Sequence, residues 1–228
     1  MTNTVITTQS SPLSIVIFLT SSCLVAGQGR KSGSCRTDIQ YLQSVDRGAF
    51  EGSWFMQFGM TLDEPNTFFR CRRMDFKFLF GDQSVPTYKA REFKISHEYL
   101  QEPGTANTGT AITGTLKFPR DWDGQFRIRY FRKDSTTFRT EPINWNSLRY
   151  KVLSLDCDKL IIYACQNFQS GSQHAELIWV YTRYSHPSDD IVDAYRDALR
   201  DKGIDVEELY WINHSDCRNY IIPGAPAF

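Results

Sequence analysis

Cysteine and histidine are the side chains of this chain with the widest choice of chemistry. The sequence of 228 residues contains six cysteines and four histidines. No two cysteines have the CxxC spacing that is typical of a zinc site. No Ser/His/Asp constellation, paired-carboxylate motif or cluster of metal ligands stands out either. We therefore predict no metal and no catalytic residue, and expect structural or binding roles for these side chains.

The amino-terminal segment has the pattern of a signal peptide. Residues Ser14–Gly27 read SIVIFLTSSCLVAG, an apolar run that is short for a bilayer span but suits a signal sequence. We expect a signal peptide at 1–27 and a secreted, extracellular mature chain at 28–228. The alternative, a buried amino-terminal strand, is disfavoured by the polar stretch QGRKSGS that follows. Secretion would also make Asn213, in the sequence Asn-His-Ser, an acceptor for N-glycosylation.

The charge balance argues against nucleic acids and membranes as partners. Lys plus Arg number 26 and Asp plus Glu number 26, so the formal net charge is zero. A neutral chain has no net basic field to attract phosphates or anionic lipids. The run Arg70-Cys71-Arg72-Arg73 is a local exception, which we interpret as an exposed strand edge with solvated charges.

Most of the chain carries strand signals that alternate with turn signals. Asp123-Gly124 and Ser170-Gly171 are typical of hairpin turns. The strands follow one another at the nearly regular spacing of an antiparallel barrel or sandwich. The eight predicted strands are 53–61, 68–80, 88–100, 109–119, 125–132, 147–155, 159–167 and 175–184.

Side chains alternate along these strands and indicate which face is inside. In the second strand Asp75 and Lys77 share one parity, whereas Phe76 and Phe78 share the other. A period of two with charge on one face predicts a half-buried strand. The charged face should therefore lie outside, and aromatic side chains should line the interior.

One helix is predicted after the last strand. Ser188 is a suitable N-cap, and Asp189 and Asp190 complement the helix dipole. Gly203 suits the position just beyond the end of the helix. An apolar stripe should pack this helix on the outside of the sheet. The stripe consists of Ile191, Val192, Tyr195, Ala198 and Leu199.

Two short motifs resemble those of the lipocalin family. Gly52-Ser53-Trp54 is similar to the Gly-x-Trp motif at the start of a lipocalin, and Trp179–Arg183 is similar to the last-strand motif that ends in arginine. The resemblance implies one all-β domain at 28–228, an eight-stranded antiparallel up-and-down β-barrel with one C-terminal α-helix packed outside. It implies structural roles for Gly52, Trp54 and Arg183, with the guanidinium lying over the indole that closes one end of the barrel.

The order of the cysteines resembles that of the insecticyanin, bilin-binding protein, apolipoprotein D and crustacyanin branch. By that pattern Cys35 pairs with Cys165, and Cys71 pairs with Cys217. Such pairing requires an oxidising compartment, in agreement with the predicted secretion. Cys157 is left over, and we expect it to be a buried, inert thiol, with an intermolecular bridge as the alternative.

The resemblance implies a carrier and not an enzyme. An eight-stranded barrel holds one small ligand, and the branch points to a pigment, a biliverdin-type bilin or a carotenoid, as a bound chromophore and not a required cofactor. His97 is the predicted polar anchor, because a histidine among inward apolar neighbours needs a hydrogen-bond partner. The predicted ligand-binding lining is Met56, Phe58, Met74, Phe76, Phe78, His97, Tyr99, Ile112, Tyr130, Tyr150, Ile162, Leu177, Trp179 and Tyr181.

Other functions stay open at this point. A retinoid, sterol or fatty acid would also suit an apolar cavity, because apolar contacts are nondirectional. Some lipocalins are enzymes that use a free thiol inside the barrel, but the parity of Cys71 turns it outward. The loop from Lys133 to Asn146 could bind a partner in a defence or decoy role. Leu155–Lys159 departs from the family's middle motif, so the resemblance does not extend to a receptor. A homo-oligomer is compatible with the sequence.

Overall fold

The computed structural model covers most of the chain beyond the predicted signal peptide. It describes residues 30–60, 69–78, 92–101, 110–118, 122–131, 148–215 and 217. The predicted signal peptide and the loop from Lys133 to Asn146 lie outside the described residues. Neither described helix is long and apolar enough to span a membrane.

Within these residues the chain forms ten strands and two helices. The strands are β1 (Lys31–Ser32), β2 (Gly52–Met60), β3 (Phe69–Phe78), β4 (Glu92–Gln101), β5 (Thr110–Lys117), β6 (Gln125–Phe131), β7 (Tyr150–Leu155), β8 (Lys159–Phe168), β9 (Gln173–Thr182) and β10 (Tyr210–Trp211). The helices are α1 (Arg47–Phe50) and α2 (Asp189–Arg200). A turn of 3₁₀ helix at Gln169–Gly171 joins β8 to β9.

The eight long strands form one closed up-and-down barrel. Each strand from β2 to β9 pairs antiparallel with the next, and β9 also pairs with β2. Closure gives partners to the backbone N–H and C=O groups that a free sheet edge would expose. The predicted eight-stranded antiparallel barrel is therefore confirmed, and each predicted strand matches an observed one to within a few residues. The two-residue strands β1 and β10 were not predicted.

A cation–π stack closes the end of the barrel where β2 begins and β9 ends. The buried indole of Trp54 lies under the guanidinium of Arg183, whose carbon is 3.6 Å from the ring centroid. Nη2 of Arg183 donates to the backbone carbonyls of Ala49 (2.6 Å) and Glu51 (2.8 Å). The predicted stack is confirmed, and it joins β9 to the segment that leads into β2.

Gly52 has to be a glycine because of this stack. Its φ is +108°, a conformation that side chains disfavour. A Cβ atom at this position would lie 2.9 Å from Nη1 of Arg183. The motif glycine therefore makes room for the arginine, in agreement with the structural role that the resemblance implied.

A bulge in β2 changes which residues face inward. The register between β2 and β9 shifts by one residue between Met56 and Phe58. Such a shift moves every later side chain to the opposite face. Met56 stays inside, but Phe58 lies on the outer face. There its ring centroid lies 6.4 Å from that of Tyr195 and 5.1 Å from that of Trp211. The prediction that Phe58 lines the interior is therefore wrong.

Helix α2 packs its apolar stripe on the outside of the barrel, as predicted. Val192, Tyr195 and Leu199 are buried against outward residues of β2, β8 and β9. The side chain of Ser188 makes no capping hydrogen bond, and its backbone carbonyl instead accepts the first hydrogen bonds of the helix. Gly203 follows the helix with a φ of +67°, as expected for a residue beyond the end.

Both predicted disulfides form, Cys35–Cys165 and Cys71–Cys217. Cys157 is free, as predicted, but its side chain is exposed and not buried. The reason is the tight turn between β7 and β8, in which a carboxylate oxygen of Asp156 accepts two backbone N–H hydrogen bonds. This turn lies at the closed end of the barrel and leaves the thiol in solvent.

The C-terminal segment 210–214 fills the barrel wall between β2 and β3. Among the described residues, these two strands pair with each other only along Gly52–Phe55 and Arg73–Phe76. Beyond that point β10 pairs with β2, and the backbone N–H of Cys71 in β3 donates to the carbonyl of Asn213 (2.9 Å). The C-terminal segment therefore bridges two strands that have separated, and the Cys71–Cys217 disulfide fastens it there.

We expect Trp54→Ala to destabilise the fold, because it removes a buried indole and the stacking partner of Arg183. The free energy of unfolding should fall by about 3–5 kcal/mol. Arg183→Ala should lower the free energy of unfolding by less. Arg183→Lys should recover little of that loss, because an ammonium lacks the planar fork of a guanidinium. Urea denaturation measures all three. Wild-type stability combined with loss of ligand binding in Trp54→Ala would contradict the structural role.

Candidate functional site

Aromatic rings fill the inside of the barrel at its closed end. Phe50 contacts four inward rings at centroid distances of 4.6, 5.4, 5.6 and 6.0 Å. Tilted and edge-to-face contacts of this kind add to the stabilisation from buried area. All five side chains are at most 1% exposed, so the packing leaves almost no free space beside them. This aromatic plug consists of Phe50, Phe76, Phe93, Phe118 and Phe126.

Two residues of the predicted lining lie at this closed end. Phe76 is a member of the aromatic plug. Phe78 packs on Phe93 (5.5 Å) and under the guanidinium of Arg47 (4.0 Å). Both face inward, as the alternation predicts. Because β3 ends at the closed end, their positions indicate packing within the plug and not contact with a ligand.

A second level of inner residues lies further from the closed end. Trp179 is 8% exposed and Met74 is 4% exposed, and Ile128 and Ile162 are each 3% exposed, although all four belong to the inner cluster. Tyr150 connects the two levels, since its ring stacks on the plug and lies 5.7 Å from Trp179. Further along β8 and β9, the inner residues Ala164 and Leu177 are again 0% exposed. We call Met74, Ile128, Ile162 and Trp179 the chamber residues.

Much of the predicted lining faces the interior. For the residues of β8 and β9 this placement follows from strict alternation, because the two strands pair over ten residues without a register shift. It does not test contact with a ligand, which remains a prediction. The predicted residues found in the inner cluster, apart from Phe76 and Phe78, are Met56, Met74, Tyr150, Ile162, Leu177, Trp179 and Tyr181.

Four residues of the predicted lining are placed by their backbones alone. The side chains of His97, Tyr99, Ile112 and Tyr130 lie outside the described part of the chain. In the sheet, His97 pairs with Met74 and with Ile112, and Tyr130 pairs with a glycine of β5. The role of His97 as a polar anchor therefore remains a prediction.

Strand β3 carries a buried cation that was not predicted. Arg72 is 7% exposed, and its Nη1 donates to the hydroxyl of Tyr210 (3.1 Å) and lies 4.0 Å from Sδ of Met56. Met56 belongs to the inner cluster, and Tyr210 packs against it. Our interpretation of Arg70–Arg73 as a solvated strand edge is therefore wrong for Arg72.

The burial of Arg72 has a local cause that the sequence partly shows. The register between β3 and β4 shifts by one residue between Arg70 and Arg73, and Cys71 has a φ of +54°. This bulge directs Cys71 to its disulfide and leaves Arg72 on the same face as Met74. In the sequence, Arg72 is two residues from Met74, which predicts that both side chains face inward. We interpreted the run as exposed because three of its four residues are charged.

His214 is a second buried polar residue of the C-terminal segment. Its Nε2 lies 2.7 Å from the backbone carbonyl of Met56, to which it donates in the matching tautomer. Nδ1 has no hydrogen-bond partner among the described residues. Burial lowers the pKa of His214, against the opposing effect of the hydrogen bond to Met56, and nearby His186 lowers it further. The neutral imidazole is therefore the form that fits this position.

Charged groups on the outer wall have partners and tie strands together. Nζ of Lys31 in β1 lies 3.1 Å from Glu176 of β9 and 3.0 Å from Glu208. The hydroxyl of Tyr163 in β8 donates to Glu176 at 3.0 Å. Burial raises the pKa of this hydroxyl, and the charge of Glu176 adds to the effect. These contacts give the charged and polar residues of the outer wall a structural role.

The described interior is suited to binding. Its walls are apolar and aromatic, and its polar contribution includes the guanidinium of Arg72 and the hydroxyl of Tyr210. No group of three His, Cys, Asp or Glu side chains among the described residues could hold a metal ion. Such an interior can enclose a small apolar molecule and orient it through a few polar contacts.

Comparison with solved structures shows which proteins share this architecture. Insecticyanin from the tobacco hornworm Manduca sexta has a TM-score of 0.62 at 16% identity, over 84% of this chain and 92% of that chain. The cockroach major allergen Per a 4 has a TM-score of 0.56 at 15% identity, over 82% and 99%. Lobster apocrustacyanin A1 has a TM-score of 0.55 at 14% identity, over 75% and 81%. Neither a protein-family profile nor a curated protein matches the sequence. At these identities the likeness shows a common fold.

The stability of the fold should fall on acidification through His214. Its pKa in the folded chain lies below the ordinary value of 6.5, so the unfolded chain binds the proton more readily. This contribution to stability is complete above pH 6.5 and is lost as the pH falls through the folded pKa. Urea denaturation from pH 7.5 to 5 should show the loss.

The variant His214→Gln provides the test, because its amide can still donate to the carbonyl of Met56 without titrating. It should flatten the pH dependence of the unfolding free energy. His186→Gln removes a neighbouring exposed histidine and should leave most of the pH dependence unchanged. An unchanged slope in His214→Gln would contradict the assignment.

Proposed function

We propose that this chain, which has the lipocalin fold, carries a small apolar molecule inside its barrel and has no catalytic activity. The fold alone does not name the function. The proposal therefore rests on the inner surface of this barrel and on the division of that surface into the aromatic plug and the chamber residues.

The observation that carries the proposal is the inner surface of the closed barrel, which is apolar and aromatic. Members of the aromatic plug are at most 1% exposed, whereas Trp179 and Met74 reach 8% and 4%. Apolar and aromatic side chains inside a closed sheet form a suitable lining for a small ligand.

A pigment is the ligand class we favour, either a biliverdin-type bilin or a carotenoid. The support is the resemblance of the motifs and the cysteine order to the bilin-binding and crustacyanin branch. Aromatic walls such as Trp179 and Tyr150 also suit a flat conjugated molecule. A retinoid, sterol or fatty acid would use the same apolar contacts, so the bound molecule has to be identified by experiment.

The arrangement of cysteines supports a role without thiol chemistry in the barrel. Four of the described cysteines are paired in disulfides. Cys157, the free one, is exposed in the turn at the closed end. A thiol-dependent isomerase would need its reactive sulfur beside the ligand, and Cys157 lies outside the chamber.

Purification of the secreted protein from its own source tests the proposal most directly. A visible absorption band that stays with the protein through gel filtration is expected for a pigment carrier. A colourless protein with an extractable lipid would keep the carrier function and replace the pigment. A preparation without any extractable apolar molecule, and without affinity for added biliverdin or retinol, would contradict the carrier function.

Two tryptophans on opposite faces of the wall provide a matched test of the chamber. Trp179 faces the interior, whereas Trp211 is 45% exposed on the outer face. Trp179→Leu should weaken the binding of added biliverdin by about tenfold, the equivalent of losing one aromatic contact. Trp211→Leu should leave it within about twofold. Titrations followed by the visible spectrum of the pigment measure both, and equal effects would contradict the placement of the ligand.

Secretion and glycosylation belong to the same proposal. Asn213 is exposed, and its side-chain oxygen accepts hydrogen bonds from the N–H and hydroxyl of Ser215. Protein expressed in secreting eukaryotic cells should appear in the medium, without residues 1–27, and peptide N-glycosidase should lower its mass. Asn213→Gln should remove that shift. Intracellular retention of the unprocessed chain would contradict the signal-peptide prediction.

A further inference from the structure

We propose that Trp211 is a platform for the first N-acetylglucosamine of a glycan on Asn213, so that the sugar covers the exposed indole and holds the C-terminal segment in the barrel wall. This inference rests on the secretion and glycosylation proposed above, and it concerns the outer wall and not the ligand inside the barrel. It assigns a partner of stated chemistry, a pyranose ring with an N-acetyl group, to a tryptophan that the fold leaves open to solvent.

The indole of Trp211 is exposed and yet held in place. Among the described residues, Trp211 (45% exposed) and Tyr184 (55% exposed) are the large apolar side chains that remain in solvent. The centroid of the indole lies 5.1 Å from the ring centroid of Phe58 and 4.8 Å from the guanidinium carbon of Arg196. A ring that is already fixed loses little conformational freedom when it binds a partner.

The acceptor asparagine lies on the same face of the segment as this indole. Exposure alternates along the segment: Trp211, Asn213 and Ser215 are exposed, whereas Ile212 and His214 are each 5% exposed. This is the alternation of an extended strand with one face in solvent, and two residues on one face of a strand lie about 7 Å apart. A single sugar attached to the asparagine can span that distance.

The side chain of Asn213 is free at the atom to which a glycan is attached. Its Oδ1 accepts hydrogen bonds from the backbone N–H (2.8 Å) and the hydroxyl (2.6 Å) of Ser215, whereas its Nδ2 has no hydrogen-bond partner among the described residues. The backbone is fixed as well, because the carbonyl of Asn213 accepts from the N–H of Cys71 at 2.9 Å. A sugar on Nδ2 therefore starts from a fixed point of the wall.

The sugar and the indole are chemically complementary. One face of a pyranose ring presents C–H groups, and their weakly positive hydrogens are attracted to the electron-rich face of an aromatic ring. The contact also removes apolar surface of the indole from water. Because the sugar is tethered two residues away, its effective concentration at the indole is high. The contact should stabilise the folded segment, since the indole and the acceptor share one face only while the segment is extended in the wall.

Urea denaturation of the protein with and without the sugar measures the contact. The full chain is secreted from eukaryotic cells that make high-mannose glycans, and endoglycosidase H trims the glycan to one N-acetylglucosamine. The reference is the same mature sequence from the bacterial periplasm, an oxidising compartment in which disulfides form. The sugar should lower the equilibrium constant for unfolding by about fivefold, the size of one aromatic contact.

Two variants assign this effect to the indole. In Trp211→Leu the sugar should change the unfolding constant by less than about twofold, because leucine offers no aromatic face. Tyr184→Leu is the matched control, since it removes the other exposed large side chain from a different segment, and in it the full effect of the sugar should persist.

Proton NMR of the trimmed glycoprotein locates the sugar directly. Contact with the face of the indole should shift the N-acetyl methyl signal upfield and give nuclear Overhauser effects between the sugar and the indole protons of Trp211. This measurement uses the wild-type chain, so it tests the platform even if Trp211→Leu does not fold.

The outcomes separate this inference from the proposed function. An equal effect of the sugar in the wild type and in Trp211→Leu, or the absence of nuclear Overhauser effects to Trp211, would overturn the platform and leave glycosylation intact. A secreted chain without a glycan on Asn213 would contradict the proposed glycosylation, and the platform with it. The carrier function is tested separately by the pigment titrations.

Discussion

Closure of the sheet is the constraint on which the other features of this structure depend. Pairing β9 with β2 removes both sheet edges, but it requires the first and last long strands to meet at one end. The guanidinium of Arg183 holds them there, because it stacks on Trp54 and binds backbone carbonyls on the way into β2. The guanidinium thus donates hydrogen bonds to backbone carbonyl oxygens that the ladder between strands does not reach. The aromatic plug packs directly inside this joint.

Two bulges then change the barrel beyond the joint. The bulge in β2 sends Phe58 outward, where it supports helix α2, and the bulge in β3 turns Cys71 to its disulfide and Arg72 to the interior. The two strands separate, and the C-terminal segment occupies the space between them. Local irregularities in the two strands therefore decide both how the outer helix packs and which polar groups reach the inner wall.

The inside of the barrel is divided between stability and binding. The aromatic plug contributes buried area and leaves almost no accessible surface, so substitutions there act on the fold. The chamber residues lie one step further along the strands, and the polar groups of the C-terminal segment lie on their side of the plug. This division explains why inward orientation by itself identifies poor candidates for ligand contact: Phe76 and Trp179 share the interior, but they lie at different levels of it.

The sequence by itself determined the eight strands and the outer helix, because each depends on a local period of apolar side chains. The resemblance of two short motifs to those of the family added the closing stack. Family order added the disulfides, which the structure contains. Only the tertiary structure decided the outward position of Phe58, the burial of Arg72, the exposure of Cys157 and the insertion of segment 210–214. The positions of Phe58 and Arg72 depend on register between strands, because one extra residue in a strand reverses its faces without changing its composition. The exposure of Cys157 depends on the turn between β7 and β8, and the insertion of segment 210–214 on the separation of β2 and β3. How close Phe76 and Phe78 lie to the closed end of the barrel depends on the direction and pairing of β3. The alternation of side chains along a strand gives only the face and not this distance.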